Sequence, residues 1–227
     1  MAAVGSKAAV RGHCPEAVAA MLPPILESYS RKYPRVNLQL DQVSTATLEL
    51  PSLRERKVDL VVARLLPRVD DGHADDLNVE VLFNDHLVIA AGIHSRWARR
   101  RKIDLAELVN EPWILAAPDT GPYRIVSEAF RARGLRAPRI SLMTLSVHLR
   151  TNMLASGHFI TTFPSSVARL HADRFSLKVL PVQLPIRPWP VAIVTLKNRT
   201  LSPGVERFIA HVRNFTRPMR EQLPGQR

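Results

Sequence analysis

The sequence predicts an α/β protein made of two Rossmann-like subdomains with a hinged inter-lobe cleft. Three observations lead there. Apolar runs of strand length alternate with stretches of helical period from residue 10 to residue 62, and the same order starts again at residue 112, as right-handed crossovers on a mostly parallel sheet require. Between these repeats two strand candidates, 79–83 and 87–91, lie almost head to tail. A proline-rich stretch, LPIRPWP at 184–190, then returns the chain for a last strand and helix. Two crossings imply a hinge, with subdomain I at 1–84 plus 190–227 and subdomain II at 85–189.

Each element has its own signal. A short first strand closes at 10–12, and Pro15 suits the first position of a helix, where its missing N–H costs nothing. Val18, Met21, Leu22, Ile25, Leu26 and Tyr29 recur at helical spacing, so one face of a helix over 15–33 is buried, with a kink expected at Pro23-Pro24. Val36, Leu38 and Leu40 alternate with polar residues, a half-buried strand. A Ser/Thr turn at 44–47 and a short helix near Pro51 lead to the mostly apolar run 58–63, a central strand covered on both faces. In the second half, 112–115 reads as a strand, and Gly121-Pro122 opens a helix stopped by Gly134. A strand at 140–143, a helix from Ser146 to near Gly157 and a strand at 158–162 follow. The last strand spans 191–196, and Ser202-Pro203 caps and opens a final helix.

At 227 residues and 46% hydrophobic content the chain can bury real cores. Charges interrupt every apolar run short of a membrane span, and the first twelve residues lack a signal-peptide core, so a cytoplasmic location is expected. The single cysteine, Cys14, rules out an internal disulfide framework. The net charge is +12, and arginines are spread through the chain. Their densest run, 96–102, reads as a solvated surface loop, because it offers no aromatic platform for stacking bases.

Four segments in fixed order carry a resemblance: "AAMLPPILESYSRKYPRVNLQL", "LPSLRERKVDLVVAR", "LVIAAGIHSRWARRRKIDLAELVNEPWIL" and "SPGVERFIAHVR". Together they resemble the effector-binding domain of LysR-type transcriptional regulators over residues 7–217. The resemblance implies the periplasmic-binding-protein type 2 fold and a small-molecule effector held between the lobes. It also implies a homodimer paired side by side and antiparallel through helix 15–33 and strand 36–41, with a tetramer in the full-length protein. DNA contact is implied only through an N-terminal helix-turn-helix that this chain does not contain. Arg56 departs from the pattern, standing where such regulators usually have glycine. The rival reading is a periplasmic solute-binding protein of a transporter.

Enzyme and metal signatures are not found: no nucleophile elbow, no His-Glu-x-x-His and no phosphate loop, so no catalytic residue, metal or cofactor is expected. His13 beside Cys14 points a different way and lacks a third ligand. The acidic group Asp70, Asp71, Asp75 and Asp76 reads as a solvated loop.

The candidate site comes from helix ends. In an open α/β sheet ligands gather at the carboxyl ends of the strands, where the following helices present unpaired N–H groups and partial positive charge. Four such ends are readable, at Cys14, at Ser44 and Thr45, at Thr120 and Gly121, and at Ser146 and Val147. They favour an anion, most simply a carboxylate, which Arg64 at the end of its strand could clamp. The resemblance points to the same loops and adds Thr161 and Phe163 as the pocket floor. Capping alone explains any single Ser or Thr as well as ligand contact does.

Overall fold

The computed structural model describes residues 9–15, 18, 20–43, 50–65 and 75–221. They fall into two compact units, Met1–Asn84 with Trp189–Arg227, and Asp85–Pro188, each with a five-stranded sheet.

In the first unit, β1 (Ala9–Pro15), β2 (Asn37–Val43), β3 (Leu60–Arg64), β10 (Trp189–Leu196) and β4 (Leu77–Asp85) lie in the order β2-β1-β3-β10-β4. β1 runs parallel to both β2 and β3, and β10 is antiparallel to β3. The helices are α1 (Pro23–Lys32), α2 (Pro51–Arg54) and α6 (Pro203–Glu221). Two expectations are corrected here. Pro15 is the last residue of β1 where a helical residue was expected, and Pro23-Pro24 begins α1 instead of kinking it. Both follow from the missing proline N–H, which is harmless at a strand end or in a first helical turn and harmful inside a helix.

α1 and α6 meet over Tyr29, which is fully buried. Its ring packs edge-on to Phe208 at 5.1 Å, and its hydroxyl donates to the Gly204 carbonyl at 2.9 Å. Nearby, Ser28 and His211 are hydrogen bonded at 2.8 Å. Buried Asp59 accepts from the Arg11 backbone N–H at 3.0 Å and from the guanidinium of Arg199, fastening β1 to the turn before β3. Arg56, in that turn, has φ of 60°, the left-handed conformation glycine adopts without strain.

In the second unit the order is β7-β6-β8-β5-β9. β6 (Trp113–Leu115) is parallel to β7 (Ile140–Met143) and β8 (Ile160–Pro164), while β5 (Leu87–Gly92) is antiparallel to β8 and to β9 (Leu177–Val179). α3 (Gly121–Arg131) stops before Gly134, whose φ is 68°. α4 (Val147–Leu154) and α5 (Ser165–His171) complete the unit. The sequence reading omitted α5 and β9, whose short runs carry too few apolar repeats to declare a period. A core of Ile89, Trp113, Phe130, Ile160 and Leu180 fills one side of this sheet, with Trp113 edge-on to Phe130 at 5.7 Å. On the other side α4 comes so close to β5 that a Cβ on Gly92 would lie 1.9 Å from the Leu154 carbonyl oxygen. No helix among the described residues is long and apolar enough to cross a membrane.

Candidate functional site

The parallel strands of each sheet end on one edge, and the expected residues can be placed along it unit by unit. In the first unit, β1 and β3 share a register that sets Gly12 opposite Leu60 and His13 opposite Val61. Cys14 follows on β1 and Arg64 ends β3. Cys14 is buried, and its thiol pKa is pushed up to about 11 by desolvation, with a smaller contribution from the Asp41 carboxylate. A thiol so held stays protonated near neutral pH and is a packing group, not a nucleophile. Arg64 is partly buried, its guanidinium carbon 5.5 Å from the centre of the Trp189 ring. Ser44 and Thr45 lie outside the described residues, as do Asp70 and Asp71.

In the second unit the expected residues are drawn together by the strand ends. The Thr144 N–H donates to the Leu115 carbonyl at 2.8 Å, tying the loop after β7 to the end of β6. After β6, Thr120 caps α3: its hydroxyl accepts from the Tyr123 N–H at 3.4 Å and donates to the Ala117 carbonyl at 2.6 Å. Gly121 is the first helical residue. After β7, Ser146 caps α4 by accepting from the Leu149 N–H at 3.2 Å, and Val147 is buried behind it. Thr161 and Phe163 on β8 are fully buried. The Thr161 hydroxyl donates to the Ile114 carbonyl at 2.6 Å, so it serves the joint between β6 and β8.

Sequence reasoning missed Arg150. It sits four residues into α4 after the cap and is only 7% exposed. Its guanidinium donates to the carbonyls of Thr162 at 2.8 Å, Leu145 at 3.0 Å and Ser146 at 3.4 Å, and lies 4.7 Å from the Phe163 ring centre. The signal available was the spacing, since Ser146 and Arg150 at i and i+4 share one helix face. Nothing in the composition says that this arginine, among so many, turns inward. The result is a buried positive charge at the capped N-terminus of α4, on the strand-end edge of this unit's sheet. Such an arrangement attracts an anion by charge and by N–H groups that need no rearrangement.

The start of α5, directly after β8, is held by Asp85, 1% exposed. Its carboxylate accepts from the hydroxyls of Ser165 at 2.8 Å and Ser166 at 2.5 Å and from the backbone N–H groups of Ser166 at 3.2 Å and His86 at 2.9 Å. Among the described residues no three His, Cys, Asp or Glu side chains stand close enough to hold a metal ion.

Sheet order and the division into two units define an α/β protein of the type 2 periplasmic-binding fold. Residues 11–217 match the LysR substrate binding domain, and the chain belongs to that family, the regulatory effector-binding domains of LysR-type regulators. It is 24% identical over 193 residues to the HTH-type transcriptional regulator GbpR of Azospirillum brasilense, covering 85% of this chain and 56% of the relative. To the regulator TtuA of Agrobacterium vitis it is 28% identical over 204 residues, covering 87% and 64%. The chain thus spans less than two thirds of the length of these relatives. Among solved structures, the Synechocystis PCC6803 CcmR regulatory domain in complex with 2-PG superposes with a TM-score of 0.73 at 18% identity, covering 94% of this chain and 99% of that one. The BenM effector binding domain with its effector benzoate gives 0.69 at 20% identity, covering 93% of each.

Proposed function

We propose that this chain is the sensing part of a LysR-type transcriptional regulator, binding a small carboxylate-bearing effector and so controlling DNA-dependent transcription by the whole protein. The observation that carries the carboxylate is buried Arg150 beside the cap Ser146 at the N-terminus of α4. It is supported by the ligands named with the neighbours, since benzoate, and shikimate in QuiR, are carboxylates. Ser44, Thr45 and Arg64 contribute from the first unit in this reading. Effector binding shifts the arrangement of the units only so far as its affinity differs between arrangements, and a dimer paired through α1 and β2 passes that shift on. The protein is a regulator and not an enzyme.

The test is a thermal melt of the chain with a panel of carboxylates, benzoate and shikimate among them, against neutral analogues such as benzamide. A ligand at about a hundred times its Kd stabilises by about 2.7 kcal/mol, a shift of several degrees. Carboxylates that never raise the melting temperature, while their neutral analogues do, would sink the anion reading.

A further inference from the structure

The charge of this protein is not evenly placed. Segments 96–111 and 131–139 hold nine arginines and lysines against three carboxylates, a net +6, while all the rest of the chain, with 23 basic and 17 acidic residues, supplies the other +6. The fold joins these segments. The Arg139 N–H donates to the Val109 carbonyl at 3.2 Å, Arg133 pairs with Asp104 at 3.6 Å, and Arg136 is hydrogen bonded to Asn110. Underneath, Trp97, Ile103, Leu105, Leu108, Val109 and Phe130 belong to one core cluster, which holds the face in place.

All nine basic side chains are exposed. The three carboxylates are already spent on this face: Asp104 on Arg133, Glu107 on Arg100 at 2.9 Å, and Glu111 on Arg96. Six positive charges remain, on Arg99, Arg101, Lys102, Arg131, Arg136 and Arg139, and none of these has a carboxylate partner among the described residues. The C-terminus of α3 accounts for Arg131, since cations are favoured there. It does not account for the other five, which lie beyond that helix or in another loop.

We propose that this face docks on the sugar–phosphate backbone of duplex DNA, recognising its charge and not its sequence. The proposal rests on the reading of the chain as part of a DNA-bound regulator, which keeps duplex DNA at high local concentration. Eight of the nine residues are arginine, whose planar fork matches phosphate bidentately. The one aromatic ring of the face, Trp97, is 6% exposed, so single strands find no stacking platform.

The experiment is fluorescence anisotropy of the chain with a labelled duplex of arbitrary sequence, titrated with salt. About six neutralised phosphates give a slope of log K against log salt near −5. The triple variant Arg99→Gln, Arg101→Gln, Lys102→Gln is expected to bind about tenfold more weakly at low salt and to flatten that slope by about 3. An equal charge change on exposed residues of the first unit, Lys57→Gln, Lys197→Gln, Arg207→Gln, is expected to leave the slope as it was. Should the face triple melt below the parent, Arg136→Gln with Arg139→Gln gives the same reading, with a change of about 2. Absence of binding at low salt, equal losses in both triples, or displacement of the duplex by polyglutamate as readily as by unlabelled DNA would each overturn the proposal, the last in favour of an acidic protein. Carboxylate-induced melting shifts recorded on the same samples separate a failure of this face from a failure of the sensing reading.

Discussion

Replacing Arg150 by methionine tests whether the buried guanidinium both builds the site and attracts the ligand. Methionine fills a similar volume but donates nothing, so the carbonyls of Thr162 and Leu145 lose donors at 2.8 and 3.0 Å, with the weaker contact to Ser146 at 3.4 Å going as well. Two good bonds from a charged donor are worth about 1.5–3 kcal/mol each, and relief from desolvating the cation returns part of that. A net loss of about 2–3 kcal/mol follows, or about 5–10 °C in melting temperature on the scale for chains of this size. Calorimetry of the parent, Arg150→Met and Arg150→Lys measures it. Lysine keeps the charge without the fork, so it is expected to melt between the other two and to retain part of the carboxylate-induced shift, which methionine abolishes. If Arg150→Met melts within a degree of the parent and still responds fully to carboxylates, the guanidinium has neither role.

Four other changes have defined outcomes. Gly92→Ala sets a methyl 1.9 Å from the Leu154 carbonyl oxygen and is expected to destabilise by about 3 kcal/mol in a denaturant melt, because backbone on both sides must shift. Asp85→Asn keeps the shape but loses the charged acceptor of two hydroxyls and two N–H groups, costing about 2 kcal/mol, with Asp85→Ala costing more. Arg56→Gly relieves a φ of 60° worth about 1–2 kcal/mol, offset by about 0.5–1 kcal/mol of chain entropy, so the melting temperature rises slightly or holds. His211 has its pKa lowered, chiefly by desolvation and secondarily by Lys32, against a backbone hydrogen bond to Ile25. The unfolded chain therefore takes up that proton first, and stability falls as pH drops through and below 6.5. His211→Gln is expected to remove that part of the pH dependence of the melting temperature.

The elements that were legible in the sequence are those with long periods. The 3.6-residue repeat around Ile25 and Tyr29, the alternation at Leu38 and Leu40, and the run ending at Arg64 placed α1, β2 and β3, because burial of one face is written directly into residue spacing. Boundaries were less legible where proline serves two masters: Pro15 reads as a helix start, yet the chain stays extended there to pair with β2. Caps were legible at Thr120 and Ser146, since each is a local bond between a hydroxyl and an N–H three residues on. The hydroxyl bond from Thr161 to the Ile114 carbonyl was not legible, because it depends on which strand lies beside β8.

The sequence by itself determined the α/β order, the two crossings at 83–87 and 185–191, the family and the loops that carry strand-end helices. These depend on neighbours along the chain, and local period and turn chemistry are preserved however the chain packs. Only the tertiary structure decided that Arg150 turns inward under carbonyls from β8 and the loop after β7, that Asp85 gathers the hydroxyls of Ser165 and Ser166 some 80 residues away, and that two arginine-rich segments form one face. Each of those is a contact between different elements of the fold, and the physical reason is common to them. Whether a charge is buried, shared or left facing water is fixed by what else the fold brings within a few ångströms, and one chain segment carries no record of that.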